Sequence, residues 1–154
     1  MKTLISVLFA AVIGSGASAQ DFYAGATLDY GLPHSGDAQT VGSVIAGVGL
    51  GDAQIGYGAE VELGMHVAGD ADYDTQRFRF WGTYGLGDIS ARVAGGVTQF
   101  DTDSGIVDGY NLGLGVQRDV SDRLTMRGEF IRDFPDDSAF PAVTTTRIGV
   151  TYKF

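Results

Sequence analysis

Arg147-Ile148-Gly149-Val150-Thr151-Tyr152-Lys153-Phe154 is the stretch that decides the fold. Read backward by twos, Phe154, Tyr152, Val150 and Ile148 are apolar or aromatic. The residues between them, Lys153, Thr151, Gly149 and Arg147, are charged, polar or glycine. Strict period-2 alternation marks a strand with one apolar and one polar face. Working back from this strand, the same alternation predicts strands at 22–30, 41–50, 54–65, 76–86, 89–100, 106–117, 124–133 and 143–154. The joints at 51–53, 87–88 and 118–123 are short. Two carry a repeated motif, Gly49-Leu50-Gly51-Asp52 and Gly85-Leu86-Gly87-Asp88, and Gly-Asp suits the positive φ angles of tight hairpins. The joints at 31–40, 66–75, 101–105 and 134–142 are mostly longer and rich in Asp, Gly, Ser and Pro. An even number of antiparallel strands returns both ends of the chain to the short-turn side.

Alternation leaves open which face points outward. A soluble barrel turns its apolar face inward, and a membrane barrel does the reverse. The polar face carries many glycines, among them Gly25, Gly47, Gly58, Gly96, Gly113 and Gly149. A water-facing surface has no use for them, whereas a narrow lumen needs small residues to offset large ones. The same face holds mid-strand charges of both signs: Asp29, Glu60, Glu62, Arg77, Arg79, Arg92, Arg127, Glu129 and Arg147. Charges in a low-dielectric lumen must be paired, and the planar guanidinium suits bidentate pairing with carboxylates. Aromatics on the apolar face fall toward strand ends. Phe22, Tyr57, Tyr84, Tyr152 and Phe154 form one predicted girdle, and Tyr30, Phe78, Tyr110 and Phe130 the other. The expected fold is therefore all-β: an eight-stranded antiparallel up-and-down transmembrane β-barrel.

The chain opens with Lys2, an apolar run from Leu4 to Ile13, and Ala17-Ser18-Ala19. That tripartite pattern predicts an export signal peptide at 1–19 and a barrel domain at 20–154. The apolar run is too short to span a bilayer, which takes about 20 residues. There is no cysteine, which excludes disulfides and thiolate chemistry. Without Lys2 the chain has nine basic and nineteen acidic residues, an excess that argues against nucleic acid as a partner.

The whole pattern resembles the OmpA/OmpX-type small barrels of bacterial outer membranes, a porin-like family. The nearest local likeness is Gly109-Tyr110-Asn111-Leu112-Gly113-Leu114-Gly115-Val116 followed by 119–130, similar to the family's sixth strand, turn and seventh strand. The resemblance implies the outer membrane as location, with outer-membrane lipids and lipopolysaccharide as surroundings. It also implies that Phe154, with Tyr152 two residues earlier, is an assembly signal for the barrel-assembly machinery. External surface ligands would meet the long loops.

Three groups of residues could carry chemistry. The lumen charges Glu60, Glu62, Arg77, Arg79, Arg92, Arg127, Glu129 and Arg147 form either a salt-bridge plug or a gate for ions, and the narrow interior favours the plug. Trp81 would fill space among them. Asp70-Ala71-Asp72-Tyr73-Asp74 opens like a calcium loop, but Thr75 and Trp81 stand where glycine and a bidentate Glu are required, so an EF-hand is excluded. A weaker expectation is that Asp70, Asp72, Asp74, Asp101, Asp103, Asp136 and Asp137 hold divalent cations against lipopolysaccharide phosphates. His34, Ser35 and Asp37 are loop neighbours, and three loop neighbours seldom converge as a triad. No catalytic residue, resident metal or cofactor is expected. The function expected is an outer-membrane barrel with a structural or surface-interaction role, with a narrow channel as the alternative and a lipid A-modifying enzyme behind it.

Overall fold

The computed structural model describes residues 21–70, 73–103 and 105–154. The predicted leader at 1–19 lies outside the described residues. The chain is an all-β closed barrel of eight strands. They are β1 (Asp21–Pro33), β2 (Gln39–Gly51), β3 (Ile55–Gly69), β4 (Tyr73–Gly85), β5 (Ser90–Thr102), β6 (Gly105–Asp119), β7 (Leu124–Pro135) and β8 (Val143–Lys153). Each strand pairs antiparallel with its chain neighbours, and β1 pairs with β8 from Tyr23↔Lys153 to Pro33↔Val143.

The faces divide as the alternation demands. Leu114 is 68% exposed and Phe130 65%, whereas Arg79 and Arg147 are 0% and 1% exposed. Burying one large apolar side chain is worth about 1.5–3 kcal/mol. An outer wall bearing Leu28, Val44, Leu63, Phe80, Val97, Leu112 and Ile148 in water would therefore forgo on the order of ten kcal/mol or more. Such a belt needs hydrocarbon against it.

The tight turns form for the reason the repeated motif gives. Gly51 and Gly87 have φ of 102° and 83°, angles open to glycine at no steric cost. After Gly51, the Asp52 carboxylate accepts hydrogen bonds from the backbone N–H groups of Gln54 (2.8 Å) and Ile55 (2.9 Å).

At the other end the strands run further than the alternation suggests. The stretches 66–69, 73–75 and 101–102, expected as loop, belong to β3, β4 and β5. The loop-side connections shrink to 34–38, 70–72, 103–104 and 136–142. The expected contrast between short turns and long loops is thus largely lost. Polar residues can continue a ladder above the apolar belt, because pairing satisfies the backbone whatever the side chains meet.

Candidate functional site

The inward row of β4 maps the interior from loop side to turn side: Tyr73, Thr75, Arg77, Arg79, Trp81, Thr83. Each opens a different layer.

Two ion-pair clusters fill the middle, linked by hydrogen bonds from Arg79 to Asn111, from Asn111 to Thr98 and from Thr98 to Asp133. In the loop-side cluster, Arg77 grips Asp133 through Nε and Nη2 (3.3 and 3.0 Å), and its Nη1 donates to Glu62 at 2.6 Å. Arg147 holds Asp29 in the same forked way (2.7 and 2.5 Å) and also reaches Glu62 at 2.5 Å. In the turn-side cluster, Arg79 donates both terminal nitrogens to Glu129 (3.0 and 2.5 Å) and its Nε to Asn111 (2.9 Å). Glu60 Oε2 accepts from Arg127 (2.8 Å), Arg92 (3.0 Å) and the Tyr23 hydroxyl (2.9 Å). Glu60 Oε1 lies 3.5 Å from Arg79. No ion pair among the described residues joins the two clusters.

All eight predicted lumen charges are therefore inside and within these clusters. The register places Glu62 opposite Arg77 and Glu60 opposite Arg79 on neighbouring strands. Only the first is a tight pair; Arg79 instead reaches across the lumen from β4 to Glu129 on β7. Asp133 completes the loop-side cluster and was not anticipated. Its parity is inward, but it stood at the last residue of a predicted strand, where a loop carboxylate would be solvated.

Small residues make room for the large ones. Gly58 and Gly49 lie under the Trp81 ring, where an added Cβ would come within 2.6 and 3.2 Å of it. At Gly113 a Cβ would collide with the Glu129 carboxylate and Arg79 Nη2. Trp81 donates its indole N–H to the Tyr23 hydroxyl (2.9 Å), and the Arg92 guanidinium lies 4.7 Å from its ring centre.

Above the ions lies an apolar cap. Tyr73, Phe100 and Phe140 pack on one another with ring centroids 4.9–5.4 Å apart, beside buried Val41 and Val143. Phe100 is wholly buried. This cap was not anticipated either, since Tyr73 and Phe140 fell in predicted loops. The signal was the parity of Phe100, an aromatic on the polar row of β5. Below the ions, the turn side opens into a cavity of about 290 Å³ whose lining includes Asp21, Tyr23, Trp81, Arg92, Arg127 and Lys153.

On the outer wall, Phe22, Tyr57, Tyr84, Tyr152 and Phe154 are exposed on the turn-side half, as are Tyr30 and Tyr110 toward the loops. Because the strands are long, Phe78, Tyr110 and Phe130 each stand sixth from the loop-side end of their strand rather than at the rim. Phe134 stacks on Tyr110 at 4.8 Å and occupies the loop-side rim. Tyr152 and Phe154 contact edge to face at 5.5 Å. Among the acidic loop-side residues, Asp72 lies outside the described residues. Asp74 accepts from the His66 backbone N–H (3.0 Å) and stands opposite Asp101 across β4 and β5. His34 and Ser35 line a shallow depression with Arg132, Ser138, Ala139, Pro141 and Ala142.

No protein-family model matches this chain, and no curated protein matches it in sequence. Solved structures match its fold. Neisserial surface protein A is 13% identical, with 91% of this chain and 100% of that one covered at a TM-score of 0.59. The N-terminal β-barrel domain of Pseudomonas aeruginosa OprF is 9% identical, covering 86% and 97% at 0.60. A designed transmembrane β-barrel is 16% identical, covering 87% and 95% at 0.58. The fold is that of the small eight-stranded outer-membrane barrels.

Proposed function

We propose that this chain is an integral barrel of a bacterial outer membrane with a structural, envelope-stabilising role, and that its loop-side rim is its contact surface. The observation that carries this reading is the filling of the lumen. Two ion-pair clusters occupy its middle and an aromatic cap covers them, inside a wall whose outer face is apolar. An interior closed in two different ways supports a plug rather than a path. A hydrated ion would have to displace Arg–carboxylate pairs and then pass between packed rings, with nothing to replace its water. The rim bears Asp37, Asp70, Asp103, Asp136 and Asp137. That favours neutral or basic surfaces as external partners, or divalent cations bridging to lipopolysaccharide phosphates.

Refolding into detergent followed by reconstitution in planar bilayers tests the reading. The expected result is a heat-modifiable gel shift, as a closed barrel gives, with no steady single-channel conductance. Well-defined conductance steps that change in Arg79→Ala would replace the structural reading with a channel. Altered lipid A masses in cells producing the protein would replace it with an enzyme.

A further inference from the structure

We propose that the loop-side depression around Arg132 is a lipid-headgroup site, which takes a phosphate monoester of the outer-leaflet lipid: in a bacterial outer membrane, a phosphate of lipid A. It rests on the outer-membrane reading above.

Arg132 is a cation on a wall that disfavours one. Alternation along β7 turns Ile131 and Asp133 inward and Phe130, Arg132 and Phe134 outward. Its register neighbours are Leu112 on β6 and Thr144 on β8, and Leu32 on β1 follows Thr144. Leu112 and Leu32 are exposed on the apolar wall. Among the described residues no carboxylate pairs with Arg132. A charge facing lipid is costly at mid-depth and tolerated near the headgroups. Arg132 stands fourth from the loop-side end of β7, so its guanidinium reaches the headgroup level on the loop side.

The guanidinium is held in place with one edge open. Nη1 donates to the Thr144 hydroxyl, and the guanidinium carbon lies 6.0 Å from the centre of the Phe134 ring. Nε and Nη2 bond no protein group among the described residues, and both reach the surface. That edge suits two parallel bonds to phosphate oxygens. His34, Ser35 and Ser138 bring further hydrogen-bond donors to the depression, and no carboxylate lines it. Its two walls are tied together, since the His34 backbone N–H donates to the Ala142 carbonyl at 2.9 Å.

Two features choose a lipid over a free phosphate. The apolar wall continues below the depression through Leu32, Leu112 and Phe130, where acyl chains lie. The connections around it are acidic, with Asp37 just beyond Ser35 and with Asp136 and Asp137 just before Ser138. Asp137 is turned onto its own connection, accepting from the Ala139 N–H at 2.8 Å. These carboxylates repel an anion arriving from solution. A headgroup moving in the plane of the membrane approaches from the wall instead.

The test is native mass spectrometry of the refolded barrel in a glycoside detergent. It is titrated with bisphosphoryl lipid A, with the same lipid dephosphorylated, and with inorganic phosphate. The expected result is saturable retention of lipid A, about tenfold tighter than of the dephosphorylated lipid, with no retention of inorganic phosphate at matched concentration. Arg132→Gln should weaken lipid A retention about tenfold as well. Arg118→Gln, on the outer face at the turn-side end of β6, should leave it unchanged. Ser138→Asp adds a negative charge to the depression without touching Arg132, and should also weaken it. Equal affinity for the dephosphorylated lipid, unchanged affinity in Arg132→Gln, or inorganic phosphate held as tightly as lipid A overturns the proposal. The heat-modifiable gel shift is read on the same samples. Absent retention with that shift intact overturns this site alone, and loss of the shift removes the membrane barrel together with it.

Discussion

Arg147 shows how much can rest on one side chain. It is 1% exposed and binds both Asp29 and Glu62. Arg147→Ala would leave Asp29 buried with Arg77 no nearer than 3.5 Å and Glu62 with one arginine in place of two, a loss of about 3–5 kcal/mol. Chemical unfolding in detergent, followed through Trp81 fluorescence, should show a midpoint far below wild type. The exposed pair Lys153–Asp119 is the contrast: Lys153→Ala should move the midpoint by no more than about 1 kcal/mol. Asp52 supplies a pH handle outside the membrane. Hydrogen bonds from the Ile55 and Gln54 N–H groups hold its carboxyl below the ordinary carboxylate value. The folded state therefore binds this proton less readily than the unfolded one. The stability it contributes is present above the ordinary carboxylate range and fades as pH falls through the lowered value. An NMR titration of its carboxyl carbon should find that lowered midpoint, and Asp52→Asn should abolish the associated slope. At this scale the sequence was readable wherever parity and charge coincided, as for Glu60 and Arg79. It was opaque for Arg127, whose partner depends on which carboxylates its neighbours had already claimed.

The strands and turns were the most legible elements, because lipid on one side and a packed lumen on the other enforce alternation along most of each strand. Their ends were not. Residues 66–69 and 73–75 look like loop by composition, yet they pair as strand, since above the bilayer only the backbone decides. The same blind spot hid part of the cap: Tyr73 comes from such a misread stretch, while Phe140 sits in the 136–142 connection, whose composition does not show that one of its rings turns inward. Phe100, at the loop end of β5, distinguishes interior from exterior packing. Phe100→Ala should cost about 3–5 kcal/mol in thermal or urea unfolding, as for a core aromatic. Phe80→Ala, on the outer wall where detergent or lipid refills the gap, should cost markedly less. A larger loss at Phe80 would mean the two faces had been assigned the wrong way round. In the turns, Gly87→Ala forces a side chain into positive φ and should cost about 1 kcal/mol or more.

Taken whole, the barrel is held by forces that salt hardly reaches. The ion pairs of both clusters are buried to 3% side-chain exposure or less, and screening acts on exposed charges far more than on buried ones. The unfolding midpoint in sodium chloride should therefore stay nearly flat between about 0.1 and 1 M. A steep fall would mean that water and ions enter the lumen freely. Closure as a barrel and the inside-out distribution of charge were both legible, since each follows from one repeated pattern along the chain. The lopsided division of charge between the two clusters was not, because it emerges only when eight strands are brought round one axis.

Asp29 and Arg147 are 118 residues apart in the chain, on the first strand and the last. Their bond is a clasp that cannot fasten until the final hairpin has arrived and come full circle. Every earlier stage of folding is an open ribbon with two raw edges and stranded charges along its concave side. Contacts so distant in sequence form slowly, so the chain should linger as an incomplete ribbon and then snap shut in one step, without a half-made barrel that could leak.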